Sequence, residues 1–208
     1  ETLSAAAEGC GVVVHGVNYP YHKWDPAMIT ATDNVIAAAA KADALIVFPG
    51  NVYSLGPARA EPYIDNAPHA PVTAKGALRR DMEESLKAHA AKGGRVLVMR
   101  AGDYFGPAVK NGLVDPCFGS AAKGKAMMAL GNLKIAHQWA YIPDLARATV
   151  DLMEKSHDLA DYEVIHFSGT IAPTQRAFYA RVARIAGSPD RVLHMPWWAL
   201  GVMGLFDG

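Results

Sequence analysis

Cysteine is scarce. The 208 residues carry two, Cys10 and Cys117, and no Cys-x-x-Cys pair. That excludes a disulfide framework and a zinc ribbon, and it fits a reducing, cytoplasmic setting. A surplus of charge is also missing: twenty Lys and Arg balance twenty Asp and Glu. Nothing therefore steers the chain toward phosphate backbones, and nucleic acid is not an expected partner. No apolar run is long enough to span a bilayer. Val35 to Phe48 is broken by Lys41 and Asp43, and Met195 to Phe206 is about 12 residues where about 20 are needed. The first residues do not read as a secretory leader. The eight histidines form no His-Glu-x-x-His, and no Gly-x-Ser-x-Gly elbow occurs. Zinc-protease and α/β-hydrolase chemistry are set aside, and no metal is expected.

What is present is a globular α/β pattern. A hydrophobic share of 51% is ample for a packed core. Short β-branched runs at Val12–Val14, Ala44–Phe48, Arg95–Met99 and Glu163–Phe167 alternate with helical stretches near Pro26–Lys41, Thr73–Lys92, Pro143–Glu154 and Thr174–Gly187. In the second of these, Leu78, Met82 and Leu86 recur at four-residue spacing on one face. Strands apolar on both faces and alternating with helices indicate a doubly wound parallel sheet. The first three strands end in small or special residues: Gly16 and Asn18, then Pro49–Gly50, then Ala101–Gly102–Asp103. Ligands of such sheets bind at the carboxyl ends of strands, so a cleft is expected there.

Other patterns have plainer readings. Gly119 to Lys125 matches most of a phosphate-binding loop, but Ala126 stands where Ser or Thr would hold magnesium and no convincing strand precedes it, so it reads as a basic loop. Tyr19 and Lys23 have the spacing of a helical proton-transfer pair, but Pro20 lies between them. His15 sits among apolar strand residues and reads as a core imidazole. Lys110–Lys134 reads as an insertion folding over the sheet, and the aromatic cluster near Trp197 and Trp198 as core or pocket lining.

Taken in order, four segments resemble one family. Val13-Val14-His15-Gly16-Val17-Asn18, Phe48-Pro49-Gly50-Asn51-Val52-Tyr53, Arg100 through Pro107, and Trp139 through Ala146 are similar to the extended short-chain dehydrogenases/reductases, which include NAD-dependent epimerases and dehydratases of nucleotide sugars. The resemblance implies a Rossmann domain binding NAD or NADP and a small C-terminal substrate lobe. It places the Rossmann half at 1–109, with 110–208 mixing substrate-lobe and returning elements, of which 137–168 packs back on the sheet. It implies that Gly16, Val17, Asn18, Pro49, Gly50, Ala101 and Gly102 face the cofactor. Tyr21, Asn51, Asp103, Tyr104 and His137 would face a small-molecule substrate, and a homodimer is compatible with it.

The departures concern the chemistry. The family's catalytic Ser/Thr falls on Pro49, and its Tyr-x-x-x-Lys falls on Thr73 through Ala77. Thr73 then stands in the catalytic Tyr's place, with Tyr53, Tyr21 and Asp103 as the nearest other proton donors. His137 falls where nucleotide-sugar enzymes often carry an Arg for the diphosphate. No Gly-rich turn of the family's GxxGxxG type occurs, and the expectation is that strands preceding Val12 belong to a longer parent, and that NAD or NADP is bound by that parent and not usefully by the 208 residues alone. Two functions follow as expectations: an atypical NAD(P)-dependent oxidoreductase or epimerase, or a non-catalytic dinucleotide-binding or regulatory module. A plain α/β scaffold for a protein partner is a third.

Overall fold

The structure is a computed structural model that describes residues 2–57, 62–107, 109 and 115–195. The aromatic cluster at Pro196–Trp198 lies outside the described residues. In chain order the elements are α1 (Leu3–Ala6), β1 (Val12–Val14), α2 (Trp24–Ala42), β2 (Leu45–Asn51), α3 (Ala74–Ala90), β3 (Arg95–Ala101), β4 (Asp103–Phe105) and α4 (Asp115–Ala122). They continue as β5 (Met127–Leu130), β6 (His137–Tyr141), α5 (Ile142–Glu154), β7 (Tyr162–Phe167), β8 (Thr170–Ala172), α6 (Gln175–Ala186) and β9 (Val192–Met195). The chain divides into two compact units, 1–102 with 147–167, and 103–146 with 168–208.

The first unit holds a parallel sheet in the order β1-β2-β3-β7, the Rossmann-like α/β arrangement expected. Ile46, Phe48, Val96 and Val98 on one face pack with Met28 and Val35 of α2 and with Leu78, Met82 and Leu86 of α3. Leu45, Val47, Leu97 and Met99, on the other face, are equally buried. Strands so apolar on both faces require a sheet covered on both sides.

The strands run further than their apolar runs suggest. β2 continues through Pro49, Gly50 and Asn51, which pair with Met99, Arg100 and Ala101 of β3. Pro49 and Gly50 are therefore inside the strand and not in a turn after it. Register explains how a proline fits there. Leu45 N–H donates to Gly11 and Val47 C=O accepts from His15 N–H, so odd residues of β2 turn their backbone toward β1. Pro49 is next in that series, but β1 has ended, and its missing N–H costs no ladder bond.

In the second unit β4, β6 and β8 form a mixed three-stranded sheet, and β5 pairs in parallel with β9. Trp139 stacks on Phe178 of α6 with ring centres 4.5 Å apart, in a core with Phe105, Phe118, Met127 and Tyr179. The stretch read as an insertion contributes α4 and β5, and Gly119 lies within α4. A phosphate-binding loop is absent there. Among the described residues no helix is long and apolar enough to cross a membrane.

Candidate functional site

The first unit's strand ends carry three groups of residues. After β1, the N–H of His15 still bonds Val47, then Gly16, Val17 and Asn18 leave the sheet as exposed backbone. A Cβ built on Gly16 would meet nothing within 4 Å, so the loop is open on that side. At the end of β2, Asn51 is buried and its Oδ1 accepts the N–H of Tyr53 at 3.0 Å. At the end of β3, Ala101 is buried and Gly102 half-buried. Tyr21 begins the short 3-10 turn Tyr21–Lys23, which ends before the helical residues of α2; Tyr19 precedes it, so Tyr19 and Lys23 do not share a helix face.

His15 is 1% exposed. Its Nε2 lies 2.9 Å from Thr32 Oγ1, whose own hydroxyl donates to Met28 C=O at 2.9 Å. The hydroxyl can therefore only accept from the ring, so the proton sits on Nε2 and Nδ1 carries a bare lone pair with no partner. Burial first, and the nearby Arg79 charge second, lower its pKa from 6.5 to about 4. The core-imidazole reading is the observed one. Arg79 itself lies 5.0 Å from the Trp24 ring and 5.4 Å from the Phe48 ring, with Lys75 Nζ 6.0 Å from Trp24.

α3 begins where the family's Tyr-x-x-x-Lys would begin. Thr73 is its N-cap, and its Oγ1 accepts the Gly76 N–H at 3.0 Å. Gly76 is there because backbone passes close: a Cβ would lie 2.5 Å from Tyr53 O. Tyr53 is half-buried beside Trp24, with ring centres 6.5 Å apart. The cap uses an acceptor lone pair of the hydroxyl oxygen, and an aliphatic hydroxyl is a far weaker acid than a lysine-tuned Tyr. Thr73→Val is expected to destabilise the protein by about 1 kcal/mol through loss of the cap and to leave turnover within a few-fold. A loss of about a hundredfold at unchanged melting temperature would instead give Thr73 the acid–base role.

The second unit brings together two of the residues expected from the resemblance to face substrate. Asp103 Oδ2 and His137 Nε2 are 2.7 Å apart, with side chains 29% and 23% exposed. Gln175, buried at the start of α6, places its Nε2 3.2 Å from His137 Nδ1. Tyr104 is half-buried on β4, opposite Ala140. Gln175 was not legible as a site residue, because nothing local in its helix start marks it. The same holds for a buried network in the first unit. Arg100 bonds Glu83 through Nε and Nη2, the latter at 2.5 Å, and its Nη1 reaches His166 Nε2 and Asp65 C=O. Glu83 and Arg100 are 1% and 3% exposed.

A family model described as the NAD dependent epimerase/dehydratase family matches residues 4–166. The chain belongs to the NAD-dependent epimerase/dehydratase family. Solved structures agree on the fold. UDP-glucuronic acid 4-epimerase from Bacillus cereus, in complex with UDP-glucuronic acid and NAD, superposes with TM-score 0.82 at 15% identity, covering 94% of this chain and 66% of that one. The dTDP-glucose 4,6-dehydratase of Streptomyces venezuelae, with NAD bound, gives 0.77 at 16% identity, with coverages of 93% and 63%. UDP-glucose 4-epimerase from Thermotoga maritima, with UDP-glucose, gives 0.76 at 16%, with coverages of 94% and 70%. The chain thus spans under two thirds of the dehydratase's length. No curated protein sequence matches it.

Proposed function

We propose that this member of the family takes part in NAD(P)-dependent oxidoreduction or epimerisation/dehydration of a small polar or sugar-like substrate, as an atypical short-chain dehydrogenase. The observation that carries the reading is the family match across 4–166, which spans the ends of β1, β2 and β3. Gly16, Val17 and Asn18 would line the nicotinamide, with Pro49 and Gly50 beneath and Ala101 and Gly102 covering it. The unfilled space beside Gly16 suits a bound ring. When bound, the dinucleotide supplies hydride transfer; the chain orients the reactants and handles protons. For that task Tyr53 and Asp103 are the candidates, with Tyr21, Asn51, Tyr104 and His137 toward substrate.

A second reading, a dinucleotide-sensing module without turnover, is favoured by one observation. Pro49 has no hydroxyl, and at the α3 cap Thr73 offers only a weakly acidic aliphatic hydroxyl in place of a lysine-tuned Tyr. The two readings separate in one assay. The protein is incubated with NAD⁺ or NADP⁺ and a panel of UDP- and dTDP-sugars, with nicotinamide absorbance and product formation followed. Turnover of any sugar supports the enzyme; dinucleotide binding without turnover supports the sensor; no binding of either dinucleotide contradicts both.

A further inference from the structure

We propose that the second unit binds a small amphipathic acid, a linear long-chain carboxylate, in a groove beside α6. The site is independent of the dinucleotide reading above and lies wholly within one unit. The pattern of the helix opens it. α6 buries Gln175, Phe178, Tyr179 and Ala183 against the unit's core, the single apolar stripe expected of a surface helix. A second stripe, Ala177, Arg181, Arg184 and Ile185, recurs at three- and four-residue spacing. On a helix facing only water that stripe would be polar throughout. Here small side chains at Ala177 and Ala180 leave room, and Ile185 is 75% exposed. A cavity of about 1060 Å³ lies along this side of the helix.

The cavity has an aromatic floor. Phe105 of β4, Phe118 of α4 and Phe178 of α6 have ring centres 5.8–6.2 Å apart, and Phe105 and Phe118 are only half-buried. Ile171 of β8, 65% exposed, lines it as well. Covering these rings and isoleucines with hydrocarbon gains about 25 cal/mol for each Å² removed from water. A sugar would gain nothing comparable, because its hydroxyls would lie against phenylalanine and isoleucine without partners.

Charge selects the rest of the ligand. Arg181 and Arg184 are exposed on the cavity wall, and among the described residues neither has an ion-pair partner. The acid in the lining, Asp190, is already engaged by Arg176 Nη1 at 2.6 Å. Two unpaired cations therefore border apolar surface, with no unpaired anion beside them. The complement is a hydrocarbon chain ending in a carboxylate, which guanidinium groups bind through parallel N–H donors. Size favours a small molecule over a protein. The volume is at the upper edge of the range for ligand pockets, about 300–1,000 Å³. The wall from Ala177 to Ala186 is about 14 Å long, and a linear chain follows it.

Isothermal titration calorimetry on the whole chain tests this, without dinucleotide and below the micelle concentration of the probe. Decanoate is the ligand, 1-decanol the chain without charge, and acetate the charge without chain. Decanoate is expected to bind one to one, 1-decanol about tenfold more weakly and acetate not detectably. Arg181→Gln with Arg184→Gln changes two exposed side chains, so the fold is expected to survive. This double variant should weaken decanoate about tenfold and leave 1-decanol unchanged. Ala180→Trp, which fills the cavity, should weaken both probes at an unchanged melting temperature. No decanoate binding, equal affinity for 1-decanol, or a double arginine variant that binds decanoate like the wild type would overturn the proposal. Binding to phosphatidylglycerol vesicles without binding to monomeric decanoate would overturn it too, and would make the groove a membrane contact.

Discussion

Replacing Arg100 by alanine is expected to lower the unfolding free energy by about 3–5 kcal/mol, the largest effect of any single substitution considered. The reason is desolvation. Glu83 is 1% exposed, and Arg100 is its one cationic partner within bonding distance among the described residues; the neutral His69 ring approaches only to 3.7 Å. Truncation leaves a carboxylate buried without its fork of donors. It also frees His166 Nε2 and the Asp65 carbonyl, which Arg100 ties to β3. Because the cost comes from stranding a charge, removing both partners should recover most of it: Arg100→Met with Glu83→Leu is expected to be far more stable than Arg100→Ala alone. Urea denaturation of the two variants checks both statements. A double variant as unstable as the single one would mean that the hydrogen-bonded network, and not the stranded charge, is what matters.

Acid is expected to destabilise the first unit. The pKa of His15 is lowered to about 4, by burial first and by Arg79 second. His69 and His166 are lowered too, again chiefly by burial. Each is neutral in the fold, whereas the unfolded chain protonates near 6.5. Between the two values the unfolded state binds more protons, so stability rises with pH there; it is complete above about 6.5 and is lost as pH falls. For His15 the loss amounts to about 3 kcal/mol by the time pH reaches its folded value. The bare Nδ1 explains the size, since a proton added there would be a buried donor without an acceptor. Denaturation midpoints at about pH 7.5 and about pH 4.5 measure this. His15→Gln should flatten the dependence, and a slope unchanged by that substitution would assign it to other groups.

The parallel sheet was legible because its strands are apolar on both faces and alternate with helical stretches. β1 was read at its observed limits, whereas β2 and β3 were read short. Pro49 and Gly50 look like turn residues in isolation, and only the early end of β1 and the narrow gap to Arg100 make them strand residues. Gly50 is needed there because a Cβ would press on Arg100 Cγ and Val98 Cγ1, each at 3.1 Å. The second unit was nearly illegible: β4 and β8 are three residues long, and their pairing with β6 spans 30 or more positions. Asp103 and His137 were named through the family resemblance, but not as a pair, and Gln175 was not named at all. Contacts between residues 34 and 38 positions apart leave no local trace. Glu83 and Arg100 were missed because a charged residue within a helical or strand pattern reads as solvent-facing until the fold buries it.

The central claim is that the strand ends of the first unit hold the nicotinamide end of a dinucleotide, and Gly16 offers the cleanest test. A Cβ there meets nothing within 4 Å beyond its chain neighbours, so Gly16→Val is expected to leave the fold intact and to place two methyl groups in the space assigned to the ring. Fluorescence titration with NADH and NADPH, on wild type and Gly16→Val of equal melting temperature, reads this directly. The account predicts binding by the wild type and at least about tenfold weaker binding by the variant, a loss of about 1.4 kcal/mol. Equal affinity in the two proteins, or no binding by the wild type, would contradict it.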